Sequence, residues 1–121
     1  MNIKDRLIVY SADIKGIEDR FIGDYDLYTE CLAEFVQDPD FTALADAVRA
    51  NDVARAFDAA HSLKGVSGNL GLTPLYKIIC KIVEPLRIGN NKNLEPKLVE
   101  LETEHAKIKE LLLWQLEIKN M

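Results

Sequence analysis

Apolar residues recur at spacings of three and four along almost the whole chain, which is the pattern of amphipathic helices. Five such stripes are separated by turn-forming residues. No segment alternates between polar and apolar residues for long enough to predict a strand, and no internal repeat or domain linker is visible. The pattern predicts an all-α protein, folded as an antiparallel four-helix bundle with one or two short extra N-terminal helices.

The stripes define the expected core face of each helix. The first is expected to end at Asp38-Pro39 and the second at Asn51-Asp52, because these pairs favour turns. The third is expected to begin near Asp52, because aspartate is a good helix cap. The fourth is expected to begin at Thr73-Pro74, where proline suits the first turn, and to kink or end early at Glu84-Pro85. A short N-terminal helix is expected around Ile14, Ile17 and Phe21. The stripe positions are, in chain order, Tyr28, Cys31, Leu32, Phe35 and Val36; Phe41, Leu44, Ala45 and Val48; Val53, Ala56, Phe57, Ala60, Leu63, Ser67 and Leu70; Leu75, Ile78, Ile79, Ile82, Val83 and Leu86; and Leu94, Leu98, Leu101, His105, Ile108 and Leu112.

The composition is that of an ordinary globular protein of 121 residues, 48% of them apolar and 29% charged. Fifteen Lys and Arg against 20 Asp and Glu give a formal net charge of −5. Proteins that bind nucleic acid usually carry a basic stripe, and anionic membranes attract clusters of basic residues. The acidic balance therefore argues against nucleic acid and membrane surfaces as partners.

Cysteine usage and the apolar runs indicate the compartment. Cys31 and Cys80 lie far apart without neighbouring metal ligands, so we expect two small buried apolar side chains, not a disulfide scaffold or a zinc site. No signal peptide is recognisable, and no run approaches the roughly 18 apolar residues of a membrane span. We expect a cytoplasmic protein. Met1 and the short flanks favour a free-standing chain, and a fully used core favours a monomer.

One segment of the third stripe departs from the composition of a stable helix. It runs from Ala60 to Gly71 and holds Gly65 and Gly68 at interior helical positions. An interior glycine costs about 0.8–1.0 kcal/mol of helix stability relative to alanine. The apolar stripe supplies no packing reason for two of them, which favours a functional reason.

On a helical wheel of about 100° per residue, both glycines lie beside a histidine. His61, Lys64, Gly65 and Gly68 fall together, about 100° round from the centre of the buried face. The missing side chains leave a smooth patch next to an imidazole, with an ammonium group one turn away. Because histidine has an ordinary pKa of about 6.5, an exposed imidazole is a competent nucleophile near neutral pH. The arrangement suits a phosphoryl group on His61, with Lys64 offsetting its charge and a partner protein approaching over the glycines.

Less specific interpretations apply to several of these residues. A helical histidine is more often a boundary residue than a nucleophile, and only the combination with Lys64 and the glycines favours chemistry at His61. His105 occupies a seam position of the last helix, so a packing contact is the better interpretation. The other aromatic candidates are also expected to pack; they are Tyr25, Tyr28 and Trp114.

Motifs of nucleotide-binding and hydrolytic enzymes do not fit the sequence. Gly65, Gly68 and Gly71 only weakly resemble a phosphate loop, because such a loop needs Lys and then Ser or Thr directly after its last glycine. A dinucleotide fingerprint needs a preceding strand, and two histidines supply neither a zinc-protease motif nor a plausible triad. We therefore expect no enzyme with a substrate pocket of its own.

The same segment resembles the signature of histidine-containing phosphotransfer (Hpt) domains. The matching residues are His61-Ser62-Leu63-Lys64-Gly65, followed by Asn69-Leu70-Gly71. The likeness extends from about Asp13 to Leu86 and includes opening helices similar to those of the family. The last helix matches only in general character.

The resemblance implies that residues 1–121 form a single Hpt domain, which relays phosphate in two-component signalling. His61 would accept a phosphoryl group from a receiver-domain aspartate, or from a sensor or hybrid histidine kinase, and pass it to another receiver aspartate. Lys64 would stabilise the phosphoryl group, while Gly65, with Gly68 and Ser62 beside it, would accommodate the docking receiver. Such domains bind no nucleotide, do not phosphorylate themselves and need no cofactor, since the Mg²⁺ belongs to the receiver.

One position departs from the family pattern. Hpt domains commonly carry Glu or Gln on the next helix, where the side chain can hydrogen-bond the histidine ring, and here that position is Val83. Either the neighbouring Glu84 reaches His61 after a small shift, or water holds the second ring nitrogen.

Two other classes of function stay open. A helical adaptor that binds signalling partners by surface contacts alone, without phosphorylation, is the main alternative; the intact set of His61, Lys64 and Gly65 favours phosphotransfer over it. A metal-binding or haem-binding bundle is the weakest candidate, because it would need several inward-facing ligands.

Overall fold

The computed structural model describes residues 2–119, with side chains as far as residue 115; Met1 lies outside the described residues. Within that range the chain forms seven helices and no strand. The helices are α1 Ile3–Tyr10, α2 Ile14–Phe21, α3 Tyr25–Val36, α4 Asp40–Arg49, α5 Val53–Asn69, α6 Thr73–Arg87 and α7 Glu95–Lys119.

The predicted all-α bundle is confirmed. The two short N-terminal helices are α1 and α2, and the five apolar stripes correspond to α3 through α7. Helices α4 to α7 pack in chain order, each against the next, and α3 lies against α7. Short loops join the successive packed pairs, which is typical of antiparallel neighbours. None of the described helices is long and apolar enough to cross a membrane.

Aspartate side chains fix the starts of three helices. Asp13, Asp24 and Asp52 each accept a hydrogen bond from the backbone N–H three residues further on, at the starts of α2, α3 and α5. This is the usual N-cap interaction, and it satisfies one of the four N–H groups that a helix start leaves unpaired. The predicted start of the third stripe near Asp52 is therefore confirmed.

The stripes form one continuous core. Most of the predicted positions are buried, including Ala56, Ala60 and Leu63 of α5, which are 0% exposed. Phe57 on the same helix is only half-buried and packs against the edge of the core. Cys31 and Cys80 are free thiols that are only half-buried, so the expectation that both are buried is wrong. Cys31 packs against the edge of the core, and Cys80 lies beside the phenol of Tyr76.

Helix α6 does not end at Pro85. The helix continues for two residues, to Arg87, and Leu86 is buried immediately after the proline. An interior proline removes one backbone hydrogen bond, but the burial of Val83 and Leu86 on either side favours the helical course. Of the two expectations for Glu84-Pro85, the early end of the helix is therefore wrong, and the kink stays a prediction.

Candidate functional site

His61 lies in the middle of α5 with its side chain exposed to solvent. Its neighbours Ala60 and Leu63 are buried, so the helix turns the imidazole away from the core while anchoring the backbone on both sides. Among the described residues, no group hydrogen-bonds either nitrogen of the ring. Neither nitrogen is therefore blocked by a described side chain or backbone group.

The imidazole of His61 stacks on the phenyl ring of Phe57. The ring centroids are 5.5 Å apart and the planes lie 18° from parallel. The two residues are four positions apart, so their side chains share one face of α5. Helical side chains point towards the N-terminus, which brings the imidazole back over the turn that carries Phe57.

On its C-terminal side, His61 borders a shallow depression of about 290 Å³. The sequence-predicted residues Lys64, Gly65 and Gly68 line it together with His61, which is the grouping that the helical wheel predicted. The two remaining lining residues, Asn69 and Tyr76, were not singled out from the sequence. Tyr76 reaches the site from α6, and the neighbouring Cys80 thiol raises the pKa of its phenol.

The two interior glycines have different surroundings. A Cβ atom built on Gly65 would meet no other atom within 4 Å, so no packing contact requires glycine there. A Cβ atom on Gly68 would lie 3.3 Å from Cε2 of Tyr76, so Gly68 allows the tyrosine ring to lie close against α5. Gly68 therefore has a packing reason that the apolar stripe of α5 alone does not reveal.

Lys64 presents an ammonium group without an internal partner. Its side chain makes no hydrogen bond or ion pair with any described residue, and its backbone carbonyl accepts a hydrogen bond of 3.1 Å from the hydroxyl of Ser67. Ser62 is exposed beside His61 and is likewise without a described partner. A positive charge that no described side chain neutralises is thus available at the edge of the depression.

The structure does not bring Glu84 to the imidazole. The carboxylate of Glu84 lies 3.6 Å from the guanidinium of Arg87, and no hydrogen bond or ion pair joins it to His61. Val83, at the position where the family commonly has Glu or Gln, is 0% exposed. Glu84 therefore points along the outside of α6, one residue beyond the face that packs on α5. Of the two expected arrangements, the direct contact with Glu84 is not formed, and a hydrogen bond from the second ring nitrogen to water stays a prediction.

The C-terminal end of α5 is fastened to the N-terminal helices. The guanidinium of Arg20 donates hydrogen bonds of 2.7 and 3.2 Å to the carbonyls of Asn69 and Gly68. Gly71 follows in the left-handed region, with φ at 65°, and a Cβ atom there would lie 2.8 Å from Cγ1 of Ile17. The Asn-Leu-Gly part of the signature therefore ends the helix and leaves space for α2 to pack against Gly71. This packing holds the turn after the depression in place.

His105 makes the packing contact expected of it. Its ring stacks on Phe41, with centroids 3.6 Å apart, and its Nε2 lies 2.9 Å from the carbonyl of Val36. Burial lowers the pKa of His105, against the opposing effect of the Val36 contact. The chain's second histidine is thus engaged in joining α7 to α3 and α4.

A larger cleft of about 700 Å³ lies elsewhere, between α1 and α7. Arg6 lies over the ring of Trp114 there, 3.8 Å from its centroid, and acidic and basic side chains both line the walls. No lining residue is shared with the His61 depression. Within the described residues, no three His, Cys, Asp or Glu side chains converge as a metal site would require.

A family model described as the Hpt domain matches residues 28–117, which include α5 and the whole His61 depression. No curated protein and no solved structure matches the chain. The matched range contains the signature residues around His61.

Proposed function

The chain belongs to the Hpt domain family, and on that premise we propose that it is a phosphorelay intermediate whose phosphate carrier is His61. Membership of the family indicates a role in histidine phosphotransfer between two-component signalling proteins. The observation that carries the assignment to His61 is its environment: an exposed imidazole whose nitrogens bond to no described residue, beside a glycine where a Cβ atom would meet open space.

The proposed reaction is a direct transfer between two side chains. The unprotonated nitrogen of His61 attacks the phosphorus of a receiver's aspartyl phosphate, so that an N–P bond forms as the acyl O–P bond breaks. The aspartate leaves as a carboxylate with the bonding electron pair. The ring is cationic until its other nitrogen releases a proton to water. Transfer to a second receiver reverses these steps.

Lys64 and Gly65 have distinct parts in this proposal. The unpaired ammonium of Lys64, one turn from His61, contributes a charge-assisted contact to the phosphoryl oxygens. Gly65 places no side-chain atoms beside the imidazole, so that the receiver can bring its aspartyl phosphate within bonding distance. Support for this part comes from the open space where a Gly65 side chain would stand.

The partners we propose are receiver domains and a sensor or hybrid histidine kinase, with Mg²⁺ supplied by the receiver. The chain itself acts as a cytoplasmic phosphate carrier, without a bound cofactor or autokinase activity. We propose a single Hpt domain over residues 1–121 and a monomer, since the apolar stripes are used within one core.

The experiment that tests this function is transfer of labelled phosphate from purified phospho-receivers of the same cell. We expect at least one receiver to lose its label to this protein within seconds to minutes and to regain it when the protein is supplied in the phosphorylated form. The non-phosphorylated adaptor alternative predicts binding to receivers without any transfer of label. If no receiver of the full set transfers label, the adaptor function replaces the relay.

A further inference from the structure

Phe57 lies one turn before His61 and is the one described residue that contacts the imidazole face to face. The geometry is an offset stack, with centroids 5.5 Å apart and an interplanar angle of 18°. Offset stacking is a favourable arrangement of aromatic rings, and a cation within about 6 Å of a ring centroid is attracted to the ring face. The phenyl ring is therefore close enough to orient the imidazole and to respond to its charge.

No hydrogen bond or ion pair orients the ring within the described structure. The second ring nitrogen finds no carboxylate or amide, because Val83 is buried at the position from which a polar side chain would reach it, and Glu84 pairs with Arg87. An unrestrained imidazole would rotate about its side-chain bonds and spend part of its time with the reactive nitrogen misdirected.

We propose that Phe57 is a positioning residue for His61, which fixes the plane of the imidazole by stacking and stabilises the cationic ring that forms during phosphoryl transfer. The proposal rests on the function proposed above. In this chain, the stack between Phe57 and His61, both on α5, takes the place of the hydrogen bond from α6 that Hpt domains commonly have.

The charge argument follows from the transfer step. Attack by the neutral imidazole makes the ring cationic until a proton leaves, and the return transfer passes through the same cationic ring. The electron-rich face of Phe57 favours that charged state over the neutral one. At an exposed site such a contact changes a rate by about two- to fivefold.

Phe57 is itself held from two sides. It packs on the core, and the guanidinium of Arg87 lies 5.4 Å from the centroid of its ring. Arg87 is in turn paired with Glu84 at 3.6 Å. Glu84 is therefore linked to His61 through Arg87 and Phe57, although it does not reach the imidazole directly.

The test uses phosphoramidate, a small donor that needs no protein docking: its P–N bond breaks, ammonia leaves, and the phosphoryl group is bonded to His61. Initial rates are compared for the wild type, Phe57→Leu and Phe57→Tyr. Phe41→Leu is the matched control, because Phe41 stacks on the other histidine, His105. Proton NMR of the imidazole signals reports the stack independently of any phosphorylation, through the upfield shift caused by the phenyl ring.

We expect Phe57→Leu to lose the upfield shift of His61 and to accept phosphate about two- to fivefold more slowly, whereas Phe57→Tyr and Phe41→Leu behave like the wild type at His61. Phe57→Leu keeps an apolar side chain without a ring and Phe57→Tyr keeps the ring, so slower acceptance in Phe57→Leu alone assigns the effect to the aromatic ring at this position. Equal rates in Phe57→Leu and the wild type would overturn the proposal while leaving the carrier function intact. Absence of phosphate from the wild type as well would overturn both.

Discussion

The hydroxyl of Tyr28 donates a buried hydrogen bond of 2.7 Å to the carbonyl of Leu70. Leu70 caps the C-terminal end of α5, where carbonyls have no partner within the helix. Tyr28 is 0% exposed, so its phenol ties α3 to the end of the helix that carries His61.

Replacing Tyr28 with Phe should destabilise the protein by about 1–3 kcal/mol, because it leaves the Leu70 carbonyl without its partner. Urea denaturation measures the effect. Tyr25→Phe is the matched control. The Tyr25 hydroxyl donates to the part-exposed Glu18, which is also paired with Lys4, so loss of this hydrogen bond should lower the free energy of unfolding by less than about 1 kcal/mol. Equal costs in the two variants would contradict a special role for the buried bond.

Substitutions at Gly65 should separate stability from transfer. Gly65→Ala should stabilise the fold by about 0.8–1.0 kcal/mol, since the new side chain meets open space. Gly68→Ala should gain less, because Tyr76 must move by a few tenths of an ångström. Denaturant unfolding of the two variants measures the difference.

Gly65→Gln should keep the stability of the wild type or exceed it, yet slow transfer from a phospho-receiver by obstructing the approach to His61. Phosphoramidate, which is small, should still phosphorylate it. Receiver transfer at the wild-type rate would show that the open surface at Gly65 is not used for docking.

Lys64→Gln should slow phosphate acceptance by about tenfold or more, because a charge-assisted hydrogen bond contributes about 1.5–3 kcal/mol. Stability should change by less than about 0.5 kcal/mol, since the ammonium pairs with no described residue. Lys81→Gln, an exposed change on α6 outside the depression, serves as the control in the same kinetic assay. Similar rates of phosphate acceptance for both variants would show that Lys64 does not stabilise the phosphoryl group.

Acid should weaken the fold through His105. Burial lowers the pKa of His105 in the folded state, so the unfolded chain binds a proton more readily and stability falls as the pH drops below about 6.5. The free energy of unfolding should be measured for the wild type and for His105→Gln as the pH falls from about 7.5 to about 5.5. The stability advantage of the wild type over the variant should shrink steadily over that range. A difference that is constant with pH would contradict this.

The helices were largely predictable from the sequence because their signals are local. Apolar spacing, the cap at Asp52 and the break at Asp38-Pro39 act over a few residues, and the structure follows them. The continuation of α6 past Pro85 was not predictable, since it depends on what Leu86 packs against in the folded core.

The candidate site was predictable in its grouping but not in its contacts. The helical wheel places Lys64, Gly65 and Gly68 with His61, because all four lie on one helix. The contributions of Tyr76 and Arg20 come from other helices, and no spacing along α5 reveals them. Phe57 could have been recognised from its separation of four residues from His61, although its place in the apolar stripe favoured a role in the core.

The most direct test of His61 as the phosphate carrier compares the chain's two histidines. Labelled phosphate from a receiver should appear on the wild type and on His105→Gln, in a form stable to base and labile to acid, and should be absent from His61→Gln. Helical circular dichroism should be unchanged in His61→Gln, because the side chain is exposed. Label that persists in His61→Gln, or that disappears only in His105→Gln, would contradict the assignment.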